Sequence, residues 1–395
     1  MTGIATLSNK NSSARLALGL PVIAALCFAG YWSVRLSCGD WLCRRNTLDS
    51  LSRAAFLDCG NAANHAWLAE LQESSGQDPE PELRRAAELN PYASDVWIRL
   101  ATRAEAAADF PAAETLFLKA AQVDRLFTPR WALMNFYFRR GDAPDFWLWT
   151  TRALPMSHDD LTPIFDLCWQ FTNDAERIRH ALPGDQRVMH EYLAFLIARN
   201  HLAEAGPIAA ALSGRADLPI LLRYCDRLLE QDQPTAAIEI WNRLCARRLL
   251  PYTPGLTNGG FAIPSLQSGF DWHLTTNPEI TILQPAPGGG VQLSLNGKQP
   301  ENVQLLWQWL QVDPHRRYRL MFDYEAPAVA GVCWMIGSAP LPPLSPTESW
   351  QPAEFRFTAA DSPALRLALI YQRQPGTMRA EGTLRVRNLR LESAE

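Results

Sequence analysis

The sequence predicts a multidomain α + β protein: a transmembrane helix, then an α-solenoid of helical hairpins, then an antiparallel β-sandwich. Three observations predict it. Leu16 to Val34 is an apolar run without a charge, LALGLPVIAALCFAGYWSV. From about Leu48 to Leu250 apolar residues recur every three or four positions, and 34 residues separate Trp97 from Trp131. Beyond Pro251 the helical period gives way to short period-two strands among prolines and glycines. The chain has 395 residues, 47% hydrophobic and 20% charged, so several ordered domains fit it. A net charge of −4 gives no basic field, so no nucleic-acid partner is expected.

The first element is the membrane anchor. Nineteen residues rise about 28 Å as a helix, enough for a hydrocarbon core of about 30 Å. Arg15 and Arg35 bracket the run, and Tyr31 and Trp32 lie at one end, where amphipathic rings favour the interface. A cleaved signal peptide would have a shorter core and a small-x-small site; here the run continues into Tyr31, Trp32 and Arg35. The expected span is residues 15–36, after a tail of residues 1–14. Lys10 and Arg15 before the span are balanced by Arg35, Arg44 and Arg45 after it, so charge bias does not set the orientation. A short polar tail before a single span commonly stays in the cytoplasm. The bulk of the chain is therefore expected in the periplasm, held by a single pass through the inner membrane.

The helical segment is expected over residues 45–250. Joints fall at Gly76, Pro91, Pro111, Gly141, Pro155, Pro183-Gly184, Gly206-Pro207 and Pro234. Within one period Trp97, Leu100 and Ala101 occupy a first helix and Ala113, Phe117 and Ala120 a second, before Trp131. His65, Leu68 and Ala69 fall one unit earlier, and Ala86 lies 34 residues before Ala120. From Asp142 to Leu182 the period fades; it returns weakly at Tyr192–Leu212 and Leu221–Leu244, where Ala236-Ala237, Trp241 and Leu244 echo the central unit. Five or six hairpins are expected. The small residues let helices approach and the large ones fill the gap, so these signature positions read as packing.

This pattern resembles the tetratricopeptide repeat (TPR) family, most clearly over residues 60–140. The usual glycine of the first helix is Ala101 here, and its aromatic partner is Ala104. The resemblance implies a concave surface that binds peptides or proteins.

A linker at residues 251–257 leads into the sandwich, residues 258–395. Expected strands are Val303–Val312, Tyr318–Tyr324, Gly331–Ile336, Glu354–Thr358, Leu365–Tyr371 and Thr383–Leu391. Alternation puts Leu306, Gln308, Leu310 and Val312 on one side of the first, and Trp307 and Trp309 on the other. In the second, Tyr318, Leu320, Phe322 and Tyr324 oppose Arg319, Met321 and Asp323. The opening Leu256-Thr257-Asn258-Gly259-Gly260-Phe261, then Gly269-Phe270-Asp271-Trp272, resembles the start of galactose-binding-like jelly rolls, which include many carbohydrate-binding modules. The resemblance implies a jelly roll and a sugar ligand. Sugar sites present an aromatic face to the ring and polar groups to its hydroxyls. Trp307, Trp309, Trp272 and Trp334 are the candidate platforms, and Asp271 and Arg373 the candidate hydroxyl partners. The competing reading puts Trp272 and Trp334 in the core and docks Trp307 and Trp309 onto the repeat.

No catalytic constellation is legible. His65, His158, His180, His190, His201, His273 and His315 are dispersed without metal-ligand spacing. Gly288-Gly289-Gly290 precedes a strand and reads as a turn. Ser157-His158-Asp159-Asp160 reads as a helix start. Eight cysteines show no Cys-x-x-Cys pair; Cys38 could bridge Cys43, or Cys59 could take part, and free thiols are the other reading. No catalytic residue, metal or cofactor is expected. The reading is a non-catalytic membrane-anchored scaffold of the bacterial envelope. It would dock a protein partner through its repeats and touch a polysaccharide through its sandwich, in exopolysaccharide or envelope polysaccharide assembly or export. The alternative is a glycan-active hydrolase or lyase with clustered, buried carboxylates on the sandwich.

Overall fold

A computed structural model describes residues 10–253 and 255–394, with side chains from Pro21 onward. Residues 1–9 of the expected tail lie outside the described residues. Among the described residues, fourteen α-helices precede ten strands. The chain divides into two compact units, residues 1–185 and 186–395, so the last helices share a unit with the strands. The expected 251–257 linker falls inside the second unit. There the last hairpin packs on the loop that leads into the first strand, as described below.

In the first unit, α1 (Lys10–Cys43) and α2 (Leu48–Leu57) precede four hairpins. These are α3 (Ala62–Ser74) with α4 (Glu80–Leu89), α5 (Ser94–Ala106) with α6 (Phe110–Val123), α7 (Phe127–Arg140) with α8 (Ala143–Ala153), and α9 (Thr162–Thr172) with α10 (Ala175–Ala181). Among the described residues one stretch, Pro21–Cys43 of α1, is long and apolar enough to cross a membrane. Only 6% of its apolar window is buried, unlike a core helix. The helix continues past the expected end at residue 36, because no breaker intervenes. It stops where Asn46 takes a left-handed φ of 50° and Thr47 caps α2 with a reciprocal Ser50 bond.

That continuity removes the Cys38–Cys43 bridge. Five residues on one helix are separated by a rise of about 7.5 Å and a turn of about 140°, beyond disulfide reach. All eight cysteines are free thiols; Cys43 is buried and donates to Asn64 Oδ1 at 3.0 Å.

The repeat residues pack as their spacing demands. Leu68, Ala69, Ala86, Leu100, Ala101, Ala113, Phe117 and Ala120 are buried, and Trp97 and Trp131 half-buried. Asp109 caps α6 through the Ala112 amide at 3.1 Å, ahead of Pro111 in its first turn. Arg139 forms a two-pronged pair with Glu105, 2.7 Å to each oxygen, joining equivalent points one 34-residue period apart. The segment where the period fades is still helical. There Phe146 stacks on Phe171 with centroids 4.3 Å apart, so large aromatics replace the small-large alternation. The expected helix start at Asp159-Asp160 lies just ahead of α9, with Asp160 Oδ1 accepting from the Thr162 amide at 2.8 Å.

The second unit carries α11 (Gln186–Ala198), α12 (Leu202–Ala211), α13 (Leu218–Glu230) and α14 (Pro234–Ala246). Its strands are β1 (His273–Leu274), β2 (Ile280–Leu283), β3 (Val291–Asn296), β4 (Asn302–Gln311), β5 (Arg317–Ala326), β6 (Val332–Ile336), β7 (Ala339–Pro340), β8 (Thr347–Thr358), β9 (Ala364–Gln372) and β10 (Glu381–Ser393). They form two five-stranded antiparallel sheets, ordered β1-β4-β9-β6-β7 and β2-β3-β10-β5-β8. One core fills the space between them, with Leu306, Leu310, Leu320, Phe322, Leu367 and Leu384 among its members. Alternation places the first four of these inward as read from the sequence. Gln308 is the polar exception, and the Thr257 backbone satisfies it on both sides, at 3.1 and 3.3 Å. Pro352 falls in β8, which is an edge strand, as a residue without an amide hydrogen requires.

Candidate functional site

Two concavities carry the candidate sites. The first lies in the first unit between α4, α5 and α6, with a volume of about 630 Å³. Trp97, Leu100, Ala104 and Leu116 give it an apolar floor, and Glu80, Glu88, Arg103 and Lys119 stand among its charged lining. The Trp97 indole is fixed by donating Nε1–H to the Pro91 carbonyl at 2.9 Å. Ala104 projects only a methyl group into this space, which leaves it open. A smaller hollow of about 400 Å³ lies between α5 and α7, beside Ile98, Trp131 and the Glu105–Arg139 pair.

The second concavity, about 710 Å³, lies at one end of the sandwich, where the β3–β4, β5–β6 and β9–β10 loops meet. Arg373 lines it. Its guanidinium donates to the Thr377 carbonyl at 2.8 Å and to Glu301 at 3.2 Å, and Arg379 lies 3.7 Å from the same carboxylate. Lys298, Gln374 and Glu381 add polar groups, and the buried Tyr371 hydroxyl accepts from the Ala380 amide at 2.9 Å. These groups present charged hydrogen-bond donors and acceptors around a polar cleft.

The other five sequence candidates lie elsewhere. Trp272 and Trp334 are fully buried, 6.1 Å apart between centroids, in the core between the sheets. Neither offers a face to a ligand, which corrects their reading as platforms; large apolar rings on inward positions are taken by the core. Trp307 stands on the outer face of β4, but its faces are occupied. His273 stacks on it at 3.9 Å with planes 6° apart, and the Arg366 guanidinium lies 4.2 Å from its centroid. Trp309 is half-buried and meets Trp307 edge to face at 6.2 Å.

Asp271 is also corrected. It is fully buried, and its oxygens accept from the Tyr252 hydroxyl and from the Leu266 and Trp272 amides, each at 2.8 Å. Nearby, Asp226 of α13 accepts from Ser268 Oγ at 2.6 Å and from the Gly269 amide at 2.5 Å. Trp241 of α14 lies parallel to Tyr252 and packs on Phe270. The last hairpin thus joins the loop that leads into β1 through Asp226 and Trp241. Burial pushes both aspartates above the usual carboxylate range, against their hydrogen bonds, and pushes His273 down. Perturbed acids can mark catalysis, but here each carboxylate is committed to fold hydrogen bonds. Among the described residues no group of three metal-ligating side chains converges.

The architecture is thus a set of helical hairpins followed by an antiparallel β-sandwich. No family model matches the chain, and no curated protein sequence matches it significantly. Among solved structures, the helical part is similar to YrrB, a TPR protein with an unusual peptide-binding site. That match has 14% identity, covers 52% of this chain and 94% of YrrB, and has a TM-score of 0.27. PilF of Pseudomonas aeruginosa is similar at 15% identity, over 56% of this chain and 93% of that one, TM-score 0.29. The sandwich is similar to a CBM4 structure at 12% identity, over 35% of this chain and 99% of that one, TM-score 0.29. At these scores the architecture rests on the hairpin pairing and sheet register themselves.

Proposed function

We propose that the protein is a non-catalytic scaffold of the bacterial cell envelope, anchored by one pass through the inner membrane with its bulk in the periplasm. In this reading residues 15–36 are the span, 45–250 the repeat domain and 258–395 the sandwich. The repeats hold a protein partner, and the cleft at Arg373 holds a polysaccharide, in exopolysaccharide or envelope polysaccharide assembly or export. The observation that carries the proposal is the groove over Trp97 and Ala104, whose apolar floor and charged rim suit a peptide segment. The fully bonded Asp226 and Asp271 support a scaffold over a glycan-active enzyme.

The test uses the full chain in detergent-solubilised membranes. Ala104→Arg fills the groove. Loss of a captured protein from this variant, with unchanged helix content, supports the docking reading; unchanged capture removes the groove as its seat. A glycan array run with wild type and Arg373→Ala tests the cleft separately. Retention of a glycan by wild type and its loss in the variant is the expected result.

A further inference from the structure

We infer that α2 lies against the membrane and that Phe56 enters the boundary between headgroups and acyl chains. The inference rests on reading α1 as the membrane span. Arg35 is the first charge after the apolar run, so its guanidinium belongs at the edge of the hydrocarbon. That guanidinium donates to the Leu57 carbonyl at 2.6 Å and to the Phe56 carbonyl at 3.2 Å. It also lies 4.9 Å from the centroid of the Trp32 ring, one turn back inside the run. The two carbonyls are free ends of α2, where a cation is favoured. The end of α2 is therefore held at the depth of Arg35.

Two further observations fix that arrangement. At Gly39 the two helices are in ordinary van der Waals reach, since a Cβ there would lie 3.6 Å from Asp58 Cβ and 3.9 Å from the Ala54 carbonyl. Cys43, Leu51, Ala54 and Ala55 form the buried seam between them. Phe56 points out of that seam and is 76% exposed. Tyr31 and Leu36 are exposed near the same depth on α1. A phenyl ring left bare in water beside an apolar span loses the transfer free energy that the bilayer interface supplies. The occupant of this surface is thus lipid, continuous with the lipid around α1.

The experiment places a photoreactive p-benzoylphenylalanine in the full chain, reconstituted in phosphatidylethanolamine–phosphatidylglycerol vesicles. It is placed singly at Leu26, Phe56 and Leu126, all exposed apolar positions of the first unit. Mass spectrometry reads lipid adducts after illumination. Adducts at 26 and 56, at least tenfold above those at 126, are expected. An adduct at 26 with none at 56 above the level at 126 overturns the inference while leaving the span intact. No adduct at 26 removes the span, and the inference with it.

Discussion

The ring of Trp241 occupies the space that a side chain on Gly269 would need: a Cβ built there would come within 2.4 Å of Trp241 Cζ3. Gly269 also has a φ of +60°, and its amide donates to Asp226. One residue without a side chain therefore lets α13 and α14 close on the loop that leads into β1.

Gly269→Ala combines overpacking with a left-handed backbone. It is expected to lower stability by about 2–4 kcal/mol. Gly260, where a Cβ would meet nothing within 4 Å, is the control: Gly260→Ala is expected to stay within about 0.5 kcal/mol. Denaturant midpoints of the two variants, followed by tryptophan fluorescence, check the contrast.

Asp217 supplies a pH dependence with a definite sign. Burial raises its pKa, but hydrogen bonds from Gln186, His190, Gly214 and Ser213 outweigh this and hold it at about 2. A carboxyl depressed on folding stabilises above its unfolded value near 3.8, and that contribution disappears as pH falls through about 2. Asp217→Asn is expected to cost about 2 kcal/mol at pH 7 and progressively less between pH 4 and pH 2. Unfolding curves of both proteins across that range measure the difference.

Trp307→Ala is expected to act on folding. With His273 and Arg366 on its ring, removal should lower stability by about 2 kcal/mol and leave glycan retention unchanged in the folded fraction. Arg373→Ala should show the opposite pattern, with a denaturation midpoint near wild type and weakened retention. Running both assays on both variants separates the outer sheet face from the end cleft.

Glu105→Ala breaks the pair to Arg139 across one repeat period. Arg139 is half-exposed, so the expected loss is no more than about 1 kcal/mol, falling further in 1 M salt. A larger, salt-independent loss would show that Glu105 acts through packing instead.

The repeat is legible in the sequence because its signature residues are packing residues, and packing writes a period into sequence. Leu68, Ala69, Ala86, Ala101 and Ala120 all occupy the buried positions their offsets imply. Strands of alternating character are equally legible, and Tyr318, Leu320, Phe322 and Tyr324 face inward. The strands β1, β2 and β7 are not. At two to four residues beside prolines and glycines, they carry too few alternations to register, whereas β3 alternates fully, with Val291, Leu293 and Leu295 inward. The junction is hidden for another reason. Asp226 and Gly269 lie 43 residues apart, and no local pattern links them. Asp271 and the two buried tryptophans resemble ligand groups because polar and aromatic residues serve both roles. Burial separates those roles, and a single sequence does not state it. Ala104 is the one usable signal for the groove, as a small residue in place of a large one.

The unbroken course of α1 out of the apolar run has a geometric corollary. A helix is a screw, turning about 100° and advancing about 1.5 Å for each residue. The Asn46 turn and the Arg35 contacts clamp the first unit's opening hairpin to that screw. Under the proposed anchoring, the compass bearing of this hairpin in the plane of the bilayer is therefore counted in residues. One residue inserted before Arg35 would swing it by about a quarter turn, whereas seven, close to two full turns, would nearly restore its heading and raise it by about 10 Å.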